Sequence, residues 1–413
     1  METAAVSVAP PRIRLWPLLG PAVVAGVAYL DPGNVASNMT GGARYGYLLI
    51  WVVVAGNAMA WLIQYLSAKL GIITGRSLPE NLGAGFRRKG TRYAFWVQAE
   101  LVAMATDIAE VIGGAVALKL LFNLPLLLGG LITGTVSLLL LVLQSRRGPR
   151  PFERIIAGLV LVIALGFGAG IVVGPPDPAA ALAGLVPRFE DSGSVLLAAS
   201  ILGATVMPHA IYAHSALTRD RFSGVLGASD RRVLMRATRI DVSIALAVAG
   251  TVNVVILLVA AASLRGVPGT DTLEGAHAAL AVGLGTPIAT LFAIALLASG
   301  LASTSVGAYA GAEIMRGLLH INVPLMARRL VTLVPALAVL AVGVDPTFAL
   351  VISQVVLSFG IPFALIPLVV LTGRRSLMGN WSNRPLTTVL AVIAAALLIV
   401  LNLTLLWLLA TGG

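Results

Sequence analysis

Eleven stretches of this chain, at about residues 16–38, 46–73, 93–121, 125–145, 154–174, 194–218, 239–264, 283–317, 330–344, 347–372 and 386–410, are continuously apolar. A helix crosses a hydrocarbon core of about 30 Å with about 20 residues, so the pattern predicts eleven membrane spans. Lipid offers the backbone no hydrogen-bond partners, and spans of this length satisfy their own amides only as helices. Composition agrees, with 58% hydrophobic residues, 11% charged residues and a mean hydropathy of +0.96. The longest polar connections, around 75–92 and 219–238, are too short to bury a core of their own. Residues 1–413 therefore read as one all-α integral membrane domain.

Charge sets the expected orientation, because Lys and Arg collect in cytoplasmic loops. An N-terminus inside places Arg12, Arg14, the Lys69–Arg92 cluster and the later basic loops in the cytoplasm, and leaves only Arg44, Lys119, Arg188 and Arg265 of the 28 basic residues outside. The outer loops carry Asp177, Glu190, Asp191, Asp271, Glu274 and Asp345, and an odd span count puts the C-terminus outside. The net charge of +11 is thus a topology signal whose natural partner is anionic lipid. No basic stripe with interleaved aromatics points to nucleic acid. The first sixteen residues lack the pattern of a removable signal peptide. The absence of cysteine excludes disulfides, thiolate metal sites and thiol catalysis. The Ala-, Arg- and Gly-rich composition fits a bacterial inner membrane. No cofactor and no obligate protein partner are expected.

Two spans are interrupted. The first carries Asp31-Pro32-Gly33-Asn34 near its middle, and the sixth carries Met207-Pro208-His209. If spans one to five and six to ten are two copies of one unit, at about 16–174 and 194–372, the odd number of spans per unit makes their topologies inverted. The span at about 386–410 is then an addition. Each proline removes a backbone donor, which predicts free carbonyls at Ala28 and Ala204. Broken backbone at this depth belongs where it lines a cavity or is buried in protein, and an ionisable side chain there is normally functional. Asp31 offers an anionic oxygen, Asn34 an amide oxygen, Ala28 and Ala204 carbonyls, and Met207 a thioether. That set suits a divalent cation, with the thioether favouring softer ions such as Mn²⁺, Fe²⁺, Co²⁺ or Cd²⁺ over Mg²⁺ and Ca²⁺.

A second constellation is ionisable: Glu100, Asp107 and Glu110 in the third span, His209 and His214 in the sixth, and Arg328 and Arg329 at the start of the ninth. Asp107 and Glu110, three apart, share a helix face. Such chains relay protons through membranes, although paired buried charges also serve purely to hold helices together. His209 and His214 are five apart and so do not form the one-face pair of a helical zinc protease. Asn253 reads as a gate or interhelical amide, His277 and His320 as loop residues, and Glu80 and Glu313 as solvated or capping acids.

DPGN in the first span and MPHAIYAHSAL in the sixth resemble the natural resistance-associated macrophage protein (Nramp) family of proton-coupled divalent-metal transporters. ATDIAEVIG, NVVIL, ASTSVGAYAGAEIM and SQVVLSFGIPFALIP extend the likeness along nearly the whole chain. The resemblance implies a LeuT-like fold of five plus five inverted helices with broken helices one and six, plus an eleventh helix. It implies Asp31, Asn34 and Met207 as side-chain metal ligands, carbonyls of Ala28 and Ala204 contributing in different states, and Gln354 approaching the ion as the outer gate closes. It favours a proton route through Asp31, Glu100, Asp107, Glu110 and His209 with Arg328 and Arg329 as partners. The chain departs from a common family pattern at Leu333, where some members have arginine. The expected activity is import of Mn²⁺-type ions coupled to protons by alternating access, without enzymatic function. A sodium-coupled carrier of small solutes could use the same fold.

Overall fold

The computed structural model describes residues 20–147, 149–222 and 228–411. Arg12, Arg14, the start of the first span and residues 223–227 of the long sixth connection lie outside the described residues.

The first span begins as α1 (Pro21–Gly26), tightens into a 3₁₀ turn at Val27–Leu30, breaks at Asp31 and resumes as α2 (Pro32–Tyr45). Pro32 occupies the first turn of α2, where its missing N–H costs nothing. Asp31 is extended, with φ −68° and ψ 163°, and caps α2 by accepting from the Asn34 amide. Next come α3 (Ile50–Thr74), the short connecting helix α4 (Leu78–Gly85), α5 (Lys89–Phe122), α6 (Leu126–Arg147) and α7 (Pro149–Val173). The small helix α8 (Pro178–Ala183) leads to the second broken span, α9 (Ser192–Thr205) followed by α10 (Pro208–Phe222). Then follow α11 (Ala228–Ser263), the connecting α12 (Leu273–Gly283), α13 (Thr286–Leu319), α14 (Leu325–Val342), α15 (Pro346–Gly373), the single turn α16 (Arg375–Met378) and α17 (Pro385–Thr411). Among the described residues, nine helices are long and apolar enough to cross a membrane, and the shorter apolar segments Pro21–Leu30 and Leu126–Val142 complete the expected eleven.

The core is centred on the breaks. The Ser192–Phe222 span is 94% buried in its most apolar window, against 28% for Glu153–Val173 and 33% for Pro385–Leu408. The second broken span is thus enclosed by helices, and α7 and α17 lie at the outside of the bundle with most of their apolar surface exposed. The helix α13 packs along α5 and α7, α2 lies on α11 and α9, and α10 lies on α3. One expectation needs correction: His277 belongs to α12, where its ring lies 6.4 Å from that of Phe292.

Candidate metal centre and the acid row beside it

The breaks in the two spans meet. Asn34 Nδ2 donates to the Tyr29 carbonyl at 2.5 Å and to the Ala204 carbonyl at 3.3 Å, so one side chain of the first span ties to the end of α9. Asp31, Asn34, Ala28, Ala204, Met207 and Gln354 are all fully buried. Asp31 Oδ1 accepts from the Asn34 amide at 2.8 Å and Oδ2 accepts from Gln354 Nε2 at 3.1 Å. Gln354 comes this close because residue 33 is glycine, since a Cβ there would overlap the Gln354 side chain. Met207 sits in the non-helical link between α9 and α10, three residues beyond Ala204.

The free carbonyls predicted from the two prolines are not free. Ala28 O accepts from the Asp31 amide at 3.3 Å, and Ala204 O from Asn34. Leu30 O accepts from Ser299 Oγ, and Tyr29 O also accepts from Asn253 Nδ2 at 3.0 Å. The cause is the cost of leaving a buried acceptor unmade, which short polar side chains from neighbouring helices remove. Both bonds to the two proline-orphaned carbonyls are long, so a better partner displaces them cheaply.

Among the described residues, every hydrogen-bond donor to Asp31 is neutral. Around it, Asn38 Oδ1, Asn253 Oδ1 and Gln354 Oε1 are buried acceptors without donors. Asn34 Oδ1 is engaged by Asn38 Nδ2 at 2.6 Å. The neighbourhood is rich in oxygen acceptors and short of positive charge, the complement of a cation. Among the described residues no three His, Cys, Asp or Glu side chains cluster in a way that could hold a metal. A metal here would meet one carboxylate with amide, carbonyl and thioether donors.

The acid row lies on α5, which reaches the first break through Gly113: a Cβ there would overlap Pro32. Asp107 Oδ2 pairs with Arg328 at 3.2 Å and Oδ1 with Arg329 at 2.8 Å. Arg328 also binds Glu100 at 2.9 Å. Glu110 lies 3.6 Å from Arg329 and has no hydrogen-bond donor on either oxygen. Arg329 donates further to Ser137 Oγ at 3.0 Å and Thr304 Oγ1 at 3.3 Å. His209 Nδ1 lies 3.2 Å from Thr106 Oγ1, one residue from Asp107, and its Nε2 is unpartnered.

His214 stands apart from this row. Its Nδ1 lies 2.7 Å from Gln64 Oε1 on α3, and Gln64 in turn bonds the Tyr29 hydroxyl. Five residues along α10 turn it to a different face from His209. Glu80 and Glu313, expected as solvated or capping acids, share Arg219, at 2.7 Å and 3.0 Å; Glu80 caps as expected, whereas Glu313 is buried and paired. The Glu80 cap is a capping box with Ser77. Burial alone would raise the Glu80 pKa, but the Arg219 guanidinium and the Ser77 amide hold it below the usual carboxylate range.

Residues 22–408 match the family described as natural resistance-associated macrophage protein-like. The chain belongs to the Nramp family. This Nramp chain is 59% identical over 397 residues to a divalent metal cation transporter, MntH, of Mycobacterium tuberculosis, covering 96% of this chain and 92% of that one. Among solved structures, the manganese transporter of Eremococcus coleocola superposes with a TM-score of 0.85 at 33% identity, covering 96% of this chain and 88% of that one. The nucleobase-cation-symport-1 family transporter Mhp1 superposes with a TM-score of 0.63 at 13% identity over 95% of this chain and 93% of that one. That last likeness concerns fold alone. The fold is LeuT-like, as the two broken helices imply, and this Nramp chain is a multi-pass membrane protein.

Asn38, Ser299 and Gln64, the partner of His214, were not singled out as functional from sequence. Asn38 carried a usable signal, since it follows Asn34 by one helical turn and therefore shares its face. The others come from spans far away in the chain.

Proposed function

We infer that this protein imports divalent transition-metal ions, with Mn²⁺ as the leading substrate and Fe²⁺, Co²⁺ and Cd²⁺ as others, by proton-coupled alternating access. It is a transporter and not an enzyme. The observation that carries the reading is Asp31: a fully buried carboxylate at a helix break, held among the described residues by neutral donors only, with unsatisfied amide oxygens around it and Met207 in the facing break. The names of the relatives, a divalent metal cation transporter and a manganese transporter, support the same substrate class.

In this mechanism the ion reaches the breaks from outside and exchanges most of its water for Asp31, Asn34, Met207 and a carbonyl of Ala28 or Ala204. Asn34 Oδ1 and Asp31 Oδ2 each accept one hydrogen bond, from Asn38 and Gln354, and keep a second lone pair for the metal, while Gln354 can also turn its own free Oε1 to it. A carboxylate that takes a cation is deprotonated, so metal arrival expels a proton. Glu110, whose oxygens have no hydrogen-bond donor, has room to receive it. Asp107, Glu100, His209 and the two arginines carry the route onward. An inward-negative potential contributes about 2.3 kcal/mol per charge per 100 mV, so two charges are driven strongly inward. The charge bias of the loops supports a cytoplasmic N-terminus and an external C-terminus. Two repeats, about 16–174 and 194–372, with an added helix at about 386–410, form the single membrane domain in this reading.

A sodium-coupled solute carrier shares the fold, but an anionic Asp31 beside a thioether poorly suits an organic carboxylate. The test is Mn²⁺ uptake into proteoliposomes at outside pH 5.5 and 7.5, with Ca²⁺ or Mg²⁺ in excess, and with Na⁺ varied. Saturable uptake that rises with external acidity and ignores Na⁺ is expected. Uptake that requires Na⁺, or that Mg²⁺ abolishes, overturns the reading.

A further inference from the structure

The added helix α17 lies outside the five-plus-five repeat, yet it carries a buried amide, Asn402. The facing helix α15 has Pro362 in its interior. A proline four residues on leaves the Ser358 carbonyl without its helical donor, and Asn402 Nδ2 supplies one at 2.9 Å. Ser358 Oγ lies 2.8 Å from Asn402 Oδ1 and 2.7 Å from the Val355 carbonyl, and its one proton is shared between them. Both groups of the amide therefore face one residue of α15, and the carbonyl that Nδ2 satisfies is the one that Pro362 orphans.

Ser358 lies one turn from Gln354, the residue that reaches Asp31. The same turn is pressed from the opposite broken span, because a Cβ on Gly203 of α9 would overlap the Gln354 carbonyl and approach the Ser358 amide at 2.9 Å. Leu405, one turn from Asn402, packs with Val355 of α15 and with Val195 and Ala199 of α9. This leaves little freedom in the turn from 354 to 358.

We propose that Asn402 is a positioning residue: it completes α15 at the Pro362 break and so sets where Gln354 stands relative to Asp31. The inference rests on the reading of Asp31 and Gln354 as parts of the ion site. It gives the eleventh helix a share in substrate affinity, as a brace on the gate side chain.

The test compares Mn²⁺ uptake in proteoliposomes for wild type, Asn402→Leu, Pro362→Ala, Gln354→Ala and the doubles Asn402→Leu/Pro362→Ala and Asn402→Leu/Gln354→Ala. Loss of one buried hydrogen bond predicts a rise in KM of about fivefold for Asn402→Leu, with kcat changed by no more than about twofold. Pro362→Ala restores the N–H that Ser358 lacks and should return KM toward wild type in the double. In the Gln354→Ala background, Asn402→Leu should add nothing. If Asn402→Leu alone fails to insert, its effect is read against Pro362→Ala, where the carbonyl has its own donor. A KM unchanged in Asn402→Leu, an effect that Pro362→Ala does not reverse, or full additivity with Gln354→Ala overturns the proposal. If Gln354→Ala is itself silent, the ion-site reading fails; if Gln354→Ala weakens uptake and Asn402→Leu does not, only the inference about helix eleven fails.

Discussion

Asp31 and Asp107 are both fully buried carboxylates in the membrane interior, and their surroundings are opposite. Asp107 has a guanidinium on each oxygen, Arg328 at 3.2 Å and Arg329 at 2.8 Å. Among the described residues, Asp31 has neutral amide donors alone, the Asn34 N–H at 2.8 Å and the Gln354 amide at 3.1 Å among them. Burying an anion is costly unless it is paired. Asp107 is paired by the protein itself, whereas Asp31 calls for a positive charge that none of the described residues provides. One carboxylate is part of a built-in network, and the other is, in the function proposed above, the place for a mobile cation.

The comparison breaks first at Asp31. Asp31→Ala is expected to lower Mn²⁺ uptake by about 100-fold or more, since truncating one partner of a buried charge pair costs about 2–5 kcal/mol. Near-normal uptake by a correctly inserted Asp31→Ala would return the DPGN break to a simple kink. At Asp107 the prediction concerns folding as much as transport. Arg329→Ala leaves Asp107 and Glu110 under-compensated and should lower stability by about 3–5 kcal/mol, seen as a fall in Tm in detergent. An unchanged Tm there would mean that the row is not a buried network.

Met207→Ala should keep Mn²⁺ uptake but reduce discrimination against Ca²⁺ by about tenfold, equivalent to about 1.4 kcal/mol. Competition measured with wild type and variant side by side decides it, and equal selectivity would remove the thioether from the ligand set. A smaller effect is expected at Asn38, whose amide holds Asn34 Oδ1. Asn38→Ala frees that oxygen and should shift the apparent Mn²⁺ affinity by about threefold. Titrations in which affinity does not move would show that the bond from Asn38 does not tune Asn34 as a ligand.

The smallest predicted change lies outside the spans. Because the Glu80 pKa is held low, its pairing with Arg219 contributes stability above the usual carboxylate range and loses it only as pH falls through the lowered value. The Tm difference between wild type and Glu80→Gln should therefore be the same at pH 7.5 and pH 5.5. A difference that vanishes at pH 5.5 contradicts the pairing.

Much of the frame was legible in residue order. Hydrophobic length places the spans, and Pro32 and Pro208 mark where the two central ones break. The pairing of Asp107 with Arg328 and Arg329 was also foreseeable, because buried acids on one helix need cations from another. Partners distant in sequence were not legible: His214, grouped with the ionisable row, turns to Gln64 on α3, and Glu80 and Glu313, 233 positions apart, converge on Arg219.

The carbonyls show the division most clearly. A proline in a membrane helix determines, by covalent structure alone, which carbonyl loses its donor: Ala28, Ala204 and Ser358 are readable from Pro32, Pro208 and Pro362. Which group then satisfies that carbonyl was decided only by packing. Asp31 turns back to Ala28, Asn34 crosses to Ala204, and Asn402 comes from the last helix to Ser358. The loss of a donor is local chemistry, but its replacement depends on which helix face the fold brings within about 3 Å.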